Sequence, residues 1–371
     1  MKIEQLYTGC LAQGAYYVES EGEVAIIDPL REVQQYIDKA KANNAKIKYI
    51  LETHFHADFV SGHVDLANKS GAKIVFGPGA STDYDIHSAK DGEELKIGKL
   101  TFKVLHTPGH TLESVTYLLK DESGKDHAIF SGDTLFLGDV GRPDLAIKSD
   151  LTKEDLAEML FDSLRNKIMP LADDVIVYPA HGAGSACGKN LSKETVGVLG
   201  EQKKTNYALR ADMTKAEFVK EVLDGIAPPP QYFAKNAMMN KMGYDAFDTV
   251  LKTGDVPLTP EEFEALANHE SALVLDVRPQ SEYIKGHIPN SIFIGLNGGF
   301  APWVGALITD LKQPIVLVVP EGKSAEAVTR LSRVGYDNTL GYLEGGIDSW
   351  KSSGREIDTL ESISAEDSYE L

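Results

Sequence analysis

The chain has 371 residues, of which 42% are hydrophobic and 25% are charged, and its formal net charge is −19. This is the balance of a soluble globular protein, and at about 150 residues per domain the length predicts two or three domains. The acidic charge argues against nucleic acid and membrane partners, and no apolar stretch is long enough to predict a transmembrane helix. With only Cys10 and Cys187 and no signal-peptide pattern, we expect a cytoplasmic protein without a disulfide framework.

The first part of the chain shows the pattern of short strands broken by turns, with helices between them. A hairpin is predicted over 14–28 and a helix over 33–43. Apolar runs bounded by turn residues predict further strands at 47–51, 72–76, 100–105, 114–119, 127–131 and 175–179. Helices are predicted at 151–166, 193–209 and 215–223. This order favours an α/β fold with αββα layers.

A change of pattern after the triple proline at 228–230 predicts a second domain. Residues 232–253 are expected to pack on the first domain, and turn residues over 254–260 indicate the boundary. Beyond it, strands and helices alternate, which predicts a small parallel-sheet domain. We therefore expect a first domain at 1–254, a second at 258–354 and an acidic tail at 355–371.

Ligand-type residues follow several predicted strands. The segment Thr53-His54-Phe55-His56-Ala57-Asp58-Phe59 comes directly after the strand at 47–51. Later strands are followed in the same way by His110, Asp133 and His181. Because a layered α/β sheet can gather strand ends in one crevice, this joint pattern predicts a metal site, although each residue alone is more often structural.

These motifs resemble those of the metallo-β-lactamase superfamily over residues 1 to about 250. The matching segments are Thr53–Asp58, Thr107–Thr111, Ser131–Asp133 and Pro179–Gly182. Phe59, where dinuclear members carry a histidine, and Gly141-Arg142-Pro143-Asp144 resemble the persulfide dioxygenases. That resemblance implies one Fe(II) per chain and a reaction in which a low-molecular-weight thiol persulfide and O2 give sulfite and thiol.

The resemblance also implies roles for single residues. The iron ligands would be His54, His110 and Asp133, which form the facial triad of two histidines and one carboxylate that non-haem Fe(II) oxygenases use. The residues that orient ligands or water would be His56, Asp58 and His181. Phe59 removes a donor for a second ion, because a phenyl ring cannot coordinate a metal.

Three further residues have two interpretations each. Arg142 is a candidate contact for a substrate anion, or else a surface partner of Asp144. Tyr178 is a candidate pocket residue, or else part of the strand core. Cys187 is a reactive thiol or a buried inert one.

Two other functions stay open for the first domain. A thioester hydrolase similar to glyoxalase II would use most of the same ligands, but it would prefer two metals, which Phe59 disfavours. A non-catalytic sulfur-binding scaffold is the third possibility, and the intact ligand set argues against it.

The second domain resembles the rhodanese family through Leu275–Pro279, Gly286–Pro289 and Leu343–Trp350. An active rhodanese begins its anion-binding loop with a cysteine, and here the equivalent position is Val319. Valine cannot act as a nucleophile, so we expect an inactive rhodanese-like domain. We also expect a homo-oligomer, and a separate sulfurtransferase is a candidate partner.

Overall fold

The computed structural model describes residues 1–146, 150–269 and 271–363. Its contacts divide the chain into two compact units, residues 1–244 and residues from 245 onward. None of the helices within these ranges is long and apolar enough to cross a membrane.

The first unit is built on two six-stranded sheets. The first sheet has the order β1-β2-β3-β4-β5-β6 and contains β1 (Lys2–Thr8), β2 (Gln13–Ser20), β3 (Glu23–Ile27), β4 (Lys46–Leu51), β5 (Lys73–Phe76) and β6 (His87–Ser88). The second has the order β12-β11-β10-β9-β8-β7 and contains β7 (Glu94–Ile97), β8 (Leu100–His106), β9 (Val115–Lys120), β10 (Asp126–Gly132), β11 (Ile176–Pro179) and β12 (Gly197–Val198). Apolar side chains from both sheets, such as Val18, Leu51, Phe102 and Tyr117, form one buried cluster between them.

Helices cover the outer faces of both sheets. They are α1 (Gln34–Ala42), α2 (His63–Ser70), α3 (Lys153–Ser163), α4 (Leu199–Thr205), α5 (Lys215–Leu223) and α6 (Phe233–Met242). Tyr36 and Leu66 pack from α1 and α2 onto the first sheet, while Leu160 and Phe218 pack from α3 and α5 onto the second. The predicted αββα fold is therefore confirmed.

The helix predicted at 193–209 is wrong at its start. Gly197 and Val198 form β12, which pairs antiparallel with β11, and the helix begins only at Leu199. The β-branched Val196 and Val198 favour the extended backbone, and the pairing with β11 stabilises it.

The second unit holds a parallel sheet with the order β13-β17-β16-β14-β15. Its strands are β13 (Pro257–Leu258), β14 (Leu273–Asp276), β15 (Ile292–Phe293), β16 (Ile315–Val318) and β17 (Thr339–Leu343). Its helices are α7 (Phe247–Gly254), α8 (Pro260–His269), α9 (Gln280–Tyr283), α10 (Phe300–Leu307), α11 (Ser324–Arg333) and α12 (Gly346–Ser352). The predicted small parallel-sheet domain is present.

The compact division lies ten residues before the predicted boundary. The reason is α7, which packs against α11 and β17 of the second unit. At the other end, the predicted acidic tail begins as part of the second unit, since Asp358 pairs with His287 and the Glu356 carbonyl accepts a bond from Trp350. Residues 364–371 of that tail lie outside the described residues.

Candidate metal centre

Six ligand-type side chains follow the carboxyl ends of strands from both sheets of the first unit. The loop after β4 carries three of them, and β8, β10 and β11 each precede one. They are His54, His56, Asp58, His110, Asp133 and His181. All six are buried, and their ligand atoms form two groups, each with atoms within 4.8 Å of one another. The residues that the strand-end pattern selected therefore lie together in one buried cluster.

Two glycines allow the strand ends to come this close. Gly132 has a φ of +53°, and a Cβ atom there would lie 2.6 Å from the side chain of Thr53. Gly109 has a φ of +141°, and its Cβ atom would lie 2.4 Å from the backbone of Leu160. Neither position accepts a side chain, so each glycine brings the ligand residue that follows it into the cluster.

The first group joins His54, His110 and Asp133. Oδ2 of Asp133 lies 3.3 Å from Nε2 of His110 and 3.8 Å from Nε2 of His54. The two imidazole rings are nearly perpendicular, at 89°, with centroids 4.8 Å apart. Each residue is at most 2% exposed, so the group is shielded from bulk water.

Hydrogen bonds behind the rings fix which nitrogen of each histidine faces the carboxylate. Nδ1 of His110 donates to the Arg142 carbonyl at 2.8 Å. Nδ1 of His54 donates to the Thr53 hydroxyl at 3.0 Å, because that hydroxyl already donates to Asp28 at 2.8 Å. Both Nε2 atoms are therefore left with lone pairs, as metal-binding histidines require.

The donor set fits a metal ion. Buried polar atoms without a hydrogen-bond partner among the described residues include Nε2 of His54, Nε2 of His181, Oδ1 of Asp58 and both carboxylate oxygens of Asp133. Burial, with help from the neighbouring imidazoles, lowers the pKa of His54 well below 6.5, so its ring is neutral at pH 7. Buried lone pairs and carboxylates without partners are costly, and a cation would satisfy them together.

The second group joins His56, Asp58 and His181. Nε2 of His181 lies 3.4 Å from Oδ2 of Asp58, while its Nδ1 donates to the Ala12 carbonyl at 3.2 Å. The ring of Phe59 is fully buried, with its centroid 4.4 Å from that of His56. Carbon therefore occupies the position beside His56 where a nitrogen donor would serve a second ion.

Two buried carboxylates that the sequence analysis missed hold His56 from behind. Its Nε2 lies 3.1 Å from Asp28 and 3.4 Å from Glu52. Burial acts to lower the pKa of His56, but these carboxylates outweigh it and raise that pKa well above 6.5. Asp28 follows β3 as the predicted ligands follow their own strands, so the same strand-end signal could have identified it.

Comparisons with known proteins identify the family to which the first unit belongs. The model of the metallo-beta-lactamase superfamily matches residues 8–181. The chain is 30% identical to the mitochondrial persulfide dioxygenase ETHE1 of Bos taurus over 214 residues, which cover 56% of this chain and 74% of that protein. The chain belongs to the metallo-β-lactamase superfamily. Proteins of this superfamily bind metal ions, and the two groups described above are sets of residues that could hold such an ion in this chain.

Other relatives widen the range of activities. The chain is 34% identical to the probable hydroxyacylglutathione hydrolase glo2 of Schizosaccharomyces pombe over 161 residues, covering 42% of this chain but only 58% of that protein. A crystal structure of a metallo-beta-lactamase from Staphylococcus aureus matches with a TM-score of 0.80 at 32% identity, covering 92% of this chain and 98% of that one. The relatives therefore share the superfamily but differ in the reactions for which they are named.

The guanidinium of Arg142 is bonded within the protein, and its contact with a substrate anion stays a prediction. Its guanidinium makes a bidentate pair with Asp144, at 2.7 and 2.8 Å, and donates to the carbonyls of Ala186 and Ala227. The pair with Asp144 that the sequence analysis gave as the alternative is therefore present, but it is buried and not at the surface. Arg142 also holds its own loop against the loop that carries Cys187, because its backbone N–H donates to the Cys187 carbonyl.

Tyr178 packs against the core between the two sheets, and a role in substrate binding stays a prediction. Its ring stacks on Phe130 with centroids 5.2 Å apart and meets the edge of Tyr16 at the same distance. It packs against the cluster between the two sheets, which was the alternative interpretation.

Cys187 lies beside two of the ligand-type residues of the cluster. It is 1% exposed, and its sulfur lies within 4.8 Å of ligand atoms of Asp133 and His181. Burial, followed by the charges of Asp58 and Asp133, raises the pKa of this thiol well above its usual value. The thiol is thus buried and protonated, but it is not remote from the site.

The second unit contains a rhodanese-like domain, since that family model matches residues 259–353. Val319 follows β16 directly and is buried. A cavity of about 860 Å³ lies beside this loop and is lined by residues that include Arg278, Trp303, Pro320 and Lys323. The domain therefore keeps a cleft at the carboxyl ends of its strands but has no cysteine beside it.

Proposed function

We propose that this chain is a persulfide dioxygenase that holds one Fe(II) between His54, His110 and Asp133. The observation that carries the proposal is the buried group of two histidines and one carboxylate, with Phe59 in place of a nitrogen donor for a second ion. Two histidines and one carboxylate are the ligand set that would hold Fe(II) for chemistry with O2.

The proposed reaction converts a low-molecular-weight persulfide, O2 and water to the thiol, sulfite and two protons. Iron, when bound, would supply the redox chemistry that O2 requires. The protein's own contribution is to keep both Nε2 lone pairs available, through the Arg142 carbonyl and the Thr53 hydroxyl. Burial of the triad excludes bulk water from the reacting groups.

A thioester hydrolase with two metal ions is the second candidate. It is supported by the second group, since the ligand atoms of His56, Asp58 and His181 also lie within 4.8 Å of one another. We favour the dioxygenase because Phe59 contributes no donor to that group.

Metal analysis of anaerobically purified protein, combined with oxygen uptake on a panel of persulfides, tests the proposal. We expect about one iron per chain and oxygen consumption that depends on iron, with sulfite as product. Two zinc ions per chain, with thioester hydrolysis and no iron-dependent oxygen uptake, would contradict the dioxygenase proposal and support the hydrolase.

We further propose that the rhodanese-like domain is non-catalytic and acts in assembly, either of a homo-oligomer or with a separate sulfurtransferase. This is supported by the intact cleft around a position, Val319, that has no nucleophile.

A further inference from the structure

The helix α6 has a polar buried face. Its buried residues are Phe233, Asn236 and Asn240, whereas Met238 and Met242 are exposed on its other side. Asn236 and Asn240 are about one turn apart, so their side chains leave the same face of the helix. Because the buried face of a helix is ordinarily apolar, each of these two amides needs hydrogen-bond partners to be retained there.

The two amides differ in how their hydrogen bonds are satisfied. Asn240 donates to the carbonyls of His56 and Phe59 and accepts from the Ser61 backbone N–H. Asn236 is fully buried, but neither its Oδ1 nor its Nδ2 has a partner among the described residues. An unpaired buried amide destabilises a folded protein, so its retention indicates that a ligand supplies the missing partners.

The position of Asn236 brings it close to the metal centre. At a rise of about 1.5 Å per residue, it lies about 6 Å along the helix from Asn240, whose amide bonds the loop of the metal-binding histidines. Earlier in the chain, the Ala227 carbonyl accepts from the guanidinium of Arg142, and the Arg142 carbonyl accepts from His110. This part of the chain therefore has contacts on two sides of the proposed iron site, and Asn236 lies between those contacts.

We propose that Asn236 is a substrate-binding residue that bonds an amide group in the carrier portion of the persulfide. This inference rests on the proposed function and narrows it. The free Nδ2 is a donor and the free Oδ1 is an acceptor. A carboxylate only accepts hydrogen bonds and would leave Oδ1 unpaired, whereas an amide offers both a carbonyl and an N–H. The carriers that fit are therefore thiols with an amide bond close to the sulfur, in preference to inorganic polysulfides, which have no amide.

Two matched persulfides test this contact. The persulfide of N-acetylcysteamine contains an amide, and that of O-acetyl-2-mercaptoethanol contains an ester of nearly the same shape that lacks the N–H. Iron-dependent oxygen uptake by the full chain gives kcat and KM for each. We expect KM to be about five- to tenfold lower for the amide persulfide with a similar kcat, because the bond to Oδ1 is made equally in the substrate complex and in the transition state.

Substitutions on α6 assign the preference to one side chain. Asn236→Leu replaces the amide by an apolar group of similar size, so the two KM values should come within about twofold of each other. Iron content should be unchanged, and thermal stability should be kept or raised, because an unpaired buried amide is removed. Met238→Leu, on the exposed side of the helix, is the control and should keep the difference in KM. Asn236→Ala provides the same comparison if the leucine variant does not fold.

Binding of the two product thiols gives a readout that does not depend on oxygen. NMR titration of the full chain with N-acetylcysteamine and with O-acetyl-2-mercaptoethanol should show tighter binding of the amide thiol, and this preference should be lost in Asn236→Ala. Equal affinities in the wild type, or a preference that persists in both Asn236 variants, would overturn the proposal. A loss of stability in those variants with the preference intact would show that Asn236 instead holds a structural water. Absence of iron-dependent oxygen uptake on both persulfides would contradict the dioxygenase proposal alone, so the two can fail independently.

Discussion

His110 has two roles that one substitution removes together. Its Nε2 faces Asp133, and its Nδ1 bonds the Arg142 carbonyl. In His110→Ala we expect iron per chain to fall from about one to a small fraction, with oxygen uptake lost in parallel, because one of three protein ligands is gone. His106→Ala is a control from the same segment, since that ring bonds the Leu112 carbonyl outside the cluster. A His110→Ala protein that keeps its iron would exclude His110 as a ligand.

Substitution of Phe59 by histidine should raise the number of metal ions bound per chain. Phe59→His places a nitrogen donor beside His56, within the group that includes Asp58 and His181. We expect this variant to bind one more divalent ion per chain than the wild type under the same conditions, measured by metal analysis after dialysis. Phe55→His is the control, because Phe55 packs on Phe76, away from that group. Equal metal content in all three proteins would show that Phe59 does not limit the site.

The helix α6 holds the metal-binding loop through one side chain. Asn240 donates to the carbonyls of His56 and Phe59 and accepts from the Ser61 backbone N–H, each at 2.8 Å. Asn240→Ala leaves these buried groups without partners, so we expect the metal-free protein to lose about 1–3 kcal/mol of unfolding free energy and the iron affinity to fall. Denaturant unfolding and competition with a chelator measure the two effects.

Asn236→Ala is the matched control for this clamp. Asn236 lies one turn earlier on α6 and is fully buried, but its amide has no hydrogen-bond partner within the described part of the chain. Its removal should leave iron affinity unchanged. If both substitutions weaken metal binding equally, α6 supports the loop by packing and not through Asn240.

The contrast between Asp133 and Asn240 shows what the sequence could reveal. Asp133 was predictable because a strand and a glycine precede it directly, and such neighbours can be read from the sequence. Asn240 was not, because its partners at 56–61 lie about 180 residues away and nothing near it marks the contact. The same limit applies to Arg142, whose partners Ala186 and Ala227 are brought to it only by folding. Strand-end residues and layers could be predicted, whereas the contacts that orient them could not.

At the scale of the whole molecule, the second unit should transfer no sulfur. The full chain is expected to show no thiosulfate:cyanide sulfurtransferase activity, because the side chain of Val319 has no nucleophilic atom. Val319→Cys restores a thiol beside the cleft and tests whether the rest of the site is competent. Cyanide-dependent thiocyanate formation is the measurement. Activity in the unaltered chain would contradict the assignment of this domain as inactive.

The first compact unit ends at Tyr244, which predicts how much of the chain the metal centre needs in order to bind iron. Tyr244 accepts from the Val64 backbone N–H at 3.2 Å and donates to the Ser61 carbonyl, so the clamp on the metal loop ends at this residue. A chain shortened to residues 1–244 should therefore bind iron as the full chain does, whereas one shortened to residues 1–231 lacks α6 and should not. Iron content and thermal unfolding of the two shortened proteins provide the test. If residues 1–244 bind no iron but residues 1–254 do, α7 contributes to the centre and the first unit extends to the boundary that the sequence predicted.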